Sequence, residues 1–424
     1  MKTVSLDFAH ALIDYAPTRQ AKQMGFAEAQ LHGAVAAYNM LARNAVAYVA
    51  DEVGMGKTYV ALGVMGLLRH VQPEARIVVM TPRENIQYKW IKEQTNFVRF
   101  NWRVEDNCVR NLHDAPARPP IPCHSIDEMA RAWRINDHRD LYLRYTTFSL
   151  SVRRAKGRRR CRSRLLPYVP WIPRELLSTA DPNEFRDMYG RLLNALVPDI
   201  DLLVVDEAHN FKHGFGPQVS NRNRVLGLAL GHPREVDAQC TWYQPRVKRV
   251  LLLSATPFEY DYADLYRQLD VFGKGHVRLR DNDDRDPIDA QALTGEDLEQ
   301  KRCAAKRLMI RRVSYLRIAN QRHTKNMYRR EWRHGGFDHP QEPMTIADAK
   351  QRLVVALVQK KVAELLGDRR FNNRFQIGML SSFESFLESV SRNQRSAVRS
   401  ELVDHNGAIE EEDEVERYGD MCCI

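Results

Sequence analysis

The fold is decided by residues 45–69, AVAYVADEVGMGKTYVALGVMGLLR. The first part, Ala45–Ala50, is a short apolar run that predicts a buried strand. The run stops at Asp51, a glycine-rich turn follows, and a helical pattern extends from Lys57 to Arg69. The order of strand, loop and helix is the context in which a phosphate-binding loop occurs.

The turn itself carries the chemistry of such a loop. The template G-x-x-x-x-G-K-[ST] is matched except that Asp51 replaces the first glycine. Gly54 and Gly56 leave backbone N–H groups free to point at phosphate oxygens. Lys57 would pair with the β- and γ-phosphates, and the Thr58 hydroxyl would hold Mg²⁺. The alternative is a glycine-rich turn that carries Lys-Thr by chance, and the flanking strand and helix disfavour it.

Three further apolar segments predict strands, namely Arg76–Thr81, Asp201–Val205 and Arg249–Leu253. Helical patterns cover Gly25–Arg43 and a stretch through Trp90. Strands that alternate with helices predict an α/β fold with a mostly parallel sheet.

An acidic box, Asp206-Glu207-Ala208-His209, follows the third of these strands directly. A carboxylate at the tip of a strand next to the phosphate-loop strand is placed to hold Mg²⁺, so we expect Asp206 to hold the ion through water. Glu207 would orient and deprotonate the attacking water. Alone, the acidic box would be explained as a common strand cap. Because a phosphate loop precedes it, we interpret the box as part of the nucleotide site.

A third segment, Ser254-Ala255-Thr256-Pro257, follows the strand Arg249–Leu253. Small hydroxyl residues at a strand end can bond both to a neighbouring loop and to a bound nucleic-acid strand. With His209, we therefore take Ser254, Ala255 and Thr256 as candidates for coupling the two sites.

Five segments together resemble the motifs of superfamily 2 helicase-like ATPases. They are ADEVGMGKT (50–58), VVMTPRENIQYKW (78–90), YTTFSLS (145–151), LLVVDEAHNFK (202–212) and VLLLSATPF (250–258). The A-D-E form of the phosphate loop resembles the Swi/Snf-like branch, including its bacterial DEAH-box members. The resemblance implies a RecA-like lobe that binds ATP and Mg²⁺.

Further roles come from the same resemblance. Gln30 matches the glutamine that reads adenine, and Met55 belongs to the nucleotide-binding loop. Thr81, Pro82 and Arg83 match motif Ia, and Thr146 and Thr147 match motif Ib; these two motifs track one nucleic-acid strand in the family. The implied activity is ATP hydrolysis stimulated by nucleic acid and coupled to translocation along double-stranded DNA.

The sequence departs from the family in one important respect. Residues 260–424 contain no Q-x-x-G-R-x-x-R motif, which supplies the arginine fingers of a second RecA-like lobe. The expectation is that this chain is the first lobe only and has weak or negligible ATPase activity alone. A separate chain would carry the second lobe, or the gene would be truncated.

We expect a RecA-like lobe over 1–270, with loops and a basic insertion around 101–200. A helical extension is expected over 271–400 and an acidic linker or tail over 401–424. The predicted helices of the extension are Lys301–Ile318, Ile346–Leu366 and Ile377–Val390.

Two basic stretches are ambiguous in the sequence. The run SVRRAKGRRRCRSR (151–164) is either a phosphate-binding element beside motif Ib or a solvated insertion. The second set, between Lys301 and Arg317, is better explained as an exposed helix face. Trp90 and Trp102 are expected to pack in the core or on the surface rather than to stack on bases.

Composition sets the remaining limits. Lys and Arg total 64 against 54 Asp and Glu, which favours a polyanionic partner. No apolar run approaches the ~20 residues that a membrane helix needs. The seven cysteines form no C-x-x-C pair, so we expect no disulfide or zinc, and a cytoplasmic location.

Two alternatives to the motor lobe remain open at this point. The chain could be a non-hydrolysing adaptor or remnant that binds ATP and DNA. It could also be a fragment of a DEAH-type RNA helicase, although the A-D-E prefix and the helical stretch after motif III disfavour this.

Overall fold

The computed structural model describes residues 1–19, 22, 26–125, 128–129, 131–132, 138–216, 220–236, 240–258, 261–281 and 286–312. It also describes the backbone of four short strands between 315 and 337. The chain divides into two compact units, 1–328 and 329–424. In the second unit the described residues are Trp332–Arg333 (β12) and Gly336–Phe337 (β13), which pair antiparallel.

The described part of the first unit contains helices along its whole length. They are α1 (Leu6–Leu12), α2 (Ala27–Asn44), α3 (Lys57–Val71), α4 (Glu84–Phe100), α5 (Ala155–Leu165), α6 (Pro182–Asn194), α7 (Asn221–Ala229), α8 (Ala263–Val271) and α9 (Leu298–Leu308). Short 3₁₀ turns also occur, of which Tyr145–Phe148 and Ala208–Phe211 matter for the site.

Seven strands form the central sheet, in the spatial order β3-β4-β2-β5-β6-β1-β9. They are β1 (Val46–Val49), β2 (Ile77–Thr81), β3 (Ile121–Cys123), β4 (Leu141–Arg144), β5 (Leu202–Val205), β6 (Val250–Leu253) and β9 (Met309–Ile310). Every pairing among them is parallel. The prediction of an α/β fold with a mostly parallel sheet is confirmed.

Four further strands form two antiparallel hairpins that are separate from the central sheet. They are β7 (Arg278–Leu279) with β8 (Ile288–Asp289), and β10 (Tyr315–Ile318) with β11 (Gln321–Thr324).

Two hydrophobic cores lie on opposite faces of the central sheet. In β1, Val46 and Tyr48 belong to one core, while Ala47 and Val49 belong to the other. Successive side chains of a strand point to opposite faces, so a strand covered on both sides must be apolar throughout. The four strands predicted from continuous apolar runs are of this kind and are present as β1, β2, β5 and β6.

The register brings the strand ends together at one edge. Val49 pairs with Leu253 in β6, and Leu252 in turn pairs with Val205 in β5. Because the strands are parallel, the residues that follow β1, β5 and β6 all emerge at their common carboxyl edge. The same edge receives the segments that follow β2 and β4, where Thr81 pairs with Arg144.

Two expectations about the irregular parts are wrong. Residues 101–200 are not only loops and an insertion, because β3 and β4 extend the sheet beyond β2. Lys301–Ile318 is not one helix, because α9 ends at Leu308 and the chain becomes extended there to pair β9 with β1. The predicted helices at Ile346–Leu366 and Ile377–Val390, and the acidic tail, lie outside the described residues.

The structure also bears on membrane spans and disulfide bonds. Among the described residues, no helix has the length and apolar character needed to cross a bilayer. Five cysteines in this part of the chain are free thiols, at 108, 123, 161, 240 and 303. The domain boundaries predicted at 270 and 400 stay predictions.

Candidate nucleotide site at the carboxyl edge of the sheet

The predicted phosphate loop spans the turn between β1 and α3. Gly54 and Gly56 have φ values of 86° and 78°, a left-handed conformation that side chains other than glycine rarely adopt. A Cβ atom at Gly56 would lie 2.1 Å from Nε2 of Gln30, so glycine there also permits the close approach of α2. The predicted adenine-reading residue therefore lies directly against the loop.

Lys57 begins α3 and folds back over the loop that precedes it. Its Nζ atom donates hydrogen bonds to the carbonyl oxygens of Asp51 at 3.0 Å and Glu52 at 3.3 Å. Burial lowers the pKa of the Lys57 ammonium, although Glu207, Asp51 and Asp206 each act to raise it. The lysine and the acidic box, remote in sequence, are thus close enough in space to interact electrostatically.

Asp206 follows β5 and is held by two donors. Trp90 Nε1 donates to Oδ2 at 2.8 Å, and the backbone N–H of Glu207 donates to Oδ1 at 2.9 Å. Burial raises the pKa of Asp206 above its usual value, while the bond from Trp90 opposes that shift. Trp90 is buried as expected, but its bond to a site carboxylate was not predicted from the sequence.

Glu207 and His209 connect the acidic box to the segment after β6. His209 Nδ1 lies 3.2 Å from Oε2 of Glu207 and 2.9 Å from Oγ of Ser254. The hydrogen bond to His209 is the main cause that lowers the pKa of Glu207, so this carboxylate is ionised at neutral pH. Glu207 itself has a φ of 50°, an uncommon backbone conformation for a residue with a side chain.

Ser254 is the buried member of the predicted coupling group. Its Oγ atom also accepts a hydrogen bond from the backbone N–H of Thr256 at 3.2 Å. Ala255 is partly buried and Thr256 is exposed, so the segment runs from the sheet to the surface within three residues. The structure brings His209 and Ser254 together, and their coupling role stays a prediction.

The residues predicted to follow a nucleic-acid strand lie after two adjacent strands, β2 and β4. Thr81 is buried, and its hydroxyl donates to the carbonyls of Arg83 and Leu143, both at 3.4 Å. The Thr81 side chain therefore stabilises the turn after β2 and is not exposed to solvent. Pro82 and Thr147 are partly buried, whereas Arg83 and Thr146 are exposed.

A buried ion pair closes the other side of the phosphate loop. Asp51 is fully buried and accepts hydrogen bonds from Arg312, through the backbone N–H at 2.7 Å, through Nε at 3.0 Å and through one terminal guanidinium nitrogen. The same guanidinium donates to the carbonyl of Ala29 and packs 3.2 Å from the position of a Cβ at Gly33. It also borders an open cavity of about 470 Å³ against α2. Sequence analysis missed the pairing of Asp51 with Arg312.

The donor set suits an ion that is bound together with phosphates. Thr58 stands in the first turn of α3, and Asp206 offers a partly buried carboxylate after β5. Contrary to the expectation from the sequence, strand β5 is not directly beside β1, because β6 pairs between the two. Within the described residues no three His, Cys, Asp or Glu side chains cluster as a metal cage. Mg²⁺ is typically held by one or two protein oxygens plus phosphates and water, so the residues present fit this ion.

One family model matches part of the chain. Residues 22–148 match the family described as "Type III restriction enzyme, res subunit". The match supports a helicase-like ATPase domain over this segment, which contains the phosphate loop and the segments after β2 and β4. It ends before the acidic box. No curated protein matches the chain.

The solved structures that match the chain are distant from it in sequence. The SWI2/SNF2 ATPase core of Sulfolobus solfataricus in complex with dsDNA is 15% identical, with 67% of this chain and 43% of that chain covered and a TM-score of 0.37. The same core domain without DNA in its description is 14% identical, with 68% and 43% covered and a TM-score of 0.37. The Hef helicase domain of Pyrococcus furiosus is 14% identical, with 56% and 35% covered and a TM-score of 0.29. This chain spans less than half of the length of each.

Proposed function

We propose that the chain binds ATP with Mg²⁺ and hydrolyses it as the first lobe of a nucleic-acid-dependent, helicase-like motor. The observation that carries this proposal is the register of the parallel strands, which brings the loop after β1 with Lys57, and Asp206 and Glu207 after β5, to the same carboxyl edge of the sheet. A cation on a phosphate loop opposite two carboxylates is the arrangement that phosphoryl transfer to water needs.

Each of these residues has a distinct task. Lys57 exchanges its carbonyl partners for the phosphates, and Gln30 holds the base. Asp206 and Thr58 supply the oxygens for Mg²⁺, which when bound neutralises phosphate charge. Glu207 is ionised and orients the attacking water, from which it accepts a proton. The contact of His209 with both Glu207 and Ser254 would relay the state of this centre to the segment after β6.

Double-stranded DNA is the proposed stimulating partner. Arg83 and Thr146 are exposed at the ends of β2 and β4, where side chains can grip phosphates without reading sequence. The name of the matching restriction-enzyme family is consistent with DNA rather than RNA. From the resemblance to the Swi/Snf-like branch, we propose that hydrolysis drives translocation along the duplex without strand separation.

A second lobe in trans completes the proposal. Arginine fingers accelerate hydrolysis by ~10³–10⁵ in other P-loop enzymes, and residues 260–424 contain no motif that would supply them. We therefore expect slow turnover from this chain alone and fast turnover only with a partner chain that provides the fingers.

Two substitutions test the assignment of the site. Lys57→Ala should abolish ATP binding because the phosphates lose their cation, while Lys92→Ala, an exposed lysine on α4, should bind ATP like the wild type. Glu207→Gln should keep ATP binding but lower turnover at least ~100-fold, because the base is lost. Binding is measured by calorimetry, and turnover by phosphate release with and without a DNA duplex.

The outcomes separate this function from its alternatives. Equal ATP affinity in Lys57→Ala and wild type would remove the nucleotide site. Binding without any turnover, even with DNA and a second lobe, would indicate a non-hydrolysing adaptor. Stimulation by RNA but not by DNA would favour an RNA helicase.

A further inference from the structure

Helix α5 presents a strip of basic side chains to solvent. Lys156, Arg159, Arg160, Ser163 and Arg164 recur at the spacing that places residues on one face of a helix. All five are exposed. Within the described part of the chain, Lys156, Arg159 and Arg160 make no ion pair with an acidic side chain. We call Lys156, Arg159, Arg160 and Arg164 the α5 basic face.

The basic residues of α9 behave differently. Lys301 pairs with Asp261 at 3.1 Å, and Arg302 pairs with Glu299 at 2.7 Å. Their charges are therefore neutralised locally. Among the described residues, local ion pairing thus distinguishes Lys301 and Arg302 of α9 from Lys156, Arg159 and Arg160 of α5.

The charges of α5 act against its own stability. Lys156 and Arg160, and again Arg160 and Arg164, are four residues apart, where like charges repel across a helical turn. The first turn contains no acidic residue to balance the helix dipole. A bound polyanion would reduce both the repulsion between these cations and the unfavourable interaction with the helix dipole. The α5 basic face therefore suits a ligand with closely spaced negative charges.

The helix is also held firmly at a defined place. A Cβ atom at Gly157 would lie 1.8 Å from the carbonyl oxygen of Ser151, so α5 touches the segment that leaves the Tyr145–Phe148 turn. Arg158 donates to the carbonyl of Val152 at 2.9 Å, and Val152 is itself in the core. Ser151 is four residues beyond Thr147, a chain reach of at most ~14 Å.

We propose that the α5 basic face binds the phosphate backbone of double-stranded DNA, next to the phosphates gripped at the Tyr145–Phe148 turn. The choice of DNA rests on the proposed function. An 11-residue helix is ~16 Å long, and duplex DNA carries ~10 phosphates over that length. The contact would add affinity without sequence preference, because arginine and lysine meet phosphates and not base edges.

Matched charge removals on two helices test this contact. The α5 variant combines Lys156→Gln, Arg159→Gln and Arg160→Gln. The control variant on α9 combines Lys301→Gln, Arg302→Gln and Lys306→Gln, which changes the net charge equally. Binding to a blunt DNA duplex is followed by fluorescence anisotropy between about 50 and 200 mM KCl.

We expect the α5 variant to bind DNA at least tenfold more weakly than wild type at the lowest salt. The slope of log Kd against log [KCl] should fall by about 2 to 3, near 0.9 for each lost phosphate contact. The α9 variant should keep the wild-type slope. Equal losses in both variants would overturn the proposal, because net charge alone would then explain the binding.

A third variant separates charge from placement. Gly157→Ala keeps every cation but inserts a methyl group against the Ser151 carbonyl, so the helix must shift. We expect weaker DNA binding with intact ATP binding. Wild-type DNA affinity in Gly157→Ala would contradict a fixed site on α5.

Two further measurements complete the experiment. Binding to other polyanions tests the choice of DNA, and ATP affinity separates this proposal from the proposed function. Stronger α5-dependent binding to an RNA duplex, or to phosphatidylserine vesicles, would overturn the choice of DNA. ATP affinity is measured on every variant. Wild-type DNA binding in the α5 variant, with normal ATP binding, would overturn this proposal alone, whereas absent ATP binding in the wild type would overturn the proposed function alone.

Discussion

At the level of single residues, Trp90 shows how packing and chemistry combine. Only 1% of its surface is exposed, yet Nε1 donates to the carboxylate of Asp206 at 2.8 Å. Burial raises the pKa of Asp206, and this hydrogen bond counteracts the rise. Because Mg²⁺ binds the carboxylate and not the acid, Trp90 helps to keep the proposed ligand competent at neutral pH.

Trp90→Phe should therefore shift the pH dependence of Mg²⁺-dependent ATP binding. Affinity is lost as pH falls through the folded-state pKa of Asp206, and removing the donor raises that pKa. We expect the midpoint to move upward by about one to two pH units, since hydrogen bonds to charged groups contribute about 1.5–3 kcal/mol. Calorimetric titrations from acid to neutral pH measure it.

Trp102→Phe is the control for this experiment. Trp102 is equally buried, but its indole N–H has no hydrogen-bond partner among the described residues. Its replacement makes a similar small cavity without touching Asp206. An equal upward shift in both variants, or none in Trp90→Phe, would show that the indole does not tune the carboxylate.

At the level of secondary-structure elements, the pair of Asp51 and Arg312 links the phosphate loop to strand β9. Asp51 stands where the loop template has glycine, and it is fully buried. Arg312 follows β9, which pairs with β1 at the edge of the sheet. A segment far along the chain thus fixes the first residue of the loop.

Arg312→Ala should be strongly destabilising, because it leaves the buried Asp51 carboxylate without its cation. Breaking one side of a buried pair costs about 3–5 kcal/mol. Arg311→Ala removes an exposed neighbouring cation and should change stability by less than about 0.5 kcal/mol. Urea unfolding compares the free energies of unfolding.

A double variant identifies the cause of the stability loss in Arg312→Ala. Adding Asp51→Asn to Arg312→Ala removes the stranded charge and should recover part of the lost stability. If the double variant is as unstable as Arg312→Ala, lost packing of the arginine against α2 explains the effect instead.

The same scale shows which elements could be predicted. The runs that became β1, β2, β5 and β6 are apolar throughout, and burial on both faces requires that pattern. Strands β3 and β9 have only three and two residues, and β4 has the same length as β1 but ends in Arg144, so no continuous apolar run marks these three. Their existence depends on pairing with distant segments, which a local pattern does not contain.

For the molecule as a whole, the site was predictable where it depends on topology alone. Parallel strands deliver their following residues to one edge, so Lys57, Asp206 and Ser254 were expected to meet. The bond from Trp90 and the clamp by Arg312 were not, because they depend on register and packing. The basic run at 151–164 is ambiguous in the sequence; the structure places it on the exposed helix α5, which approaches Ser151 at Gly157, and its phosphate-binding role stays a proposal.

The most direct test of the shared pocket is a crystal structure of the chain with Mg²⁺ and a non-hydrolysable ATP analogue. We predict that Lys57 leaves the carbonyls of Asp51 and Glu52 and turns to the phosphates, with the metal ion between them and Asp206. A nucleotide bound on another surface, or a triphosphate with Asp206 and Glu207 facing away from it, would contradict the motor assignment.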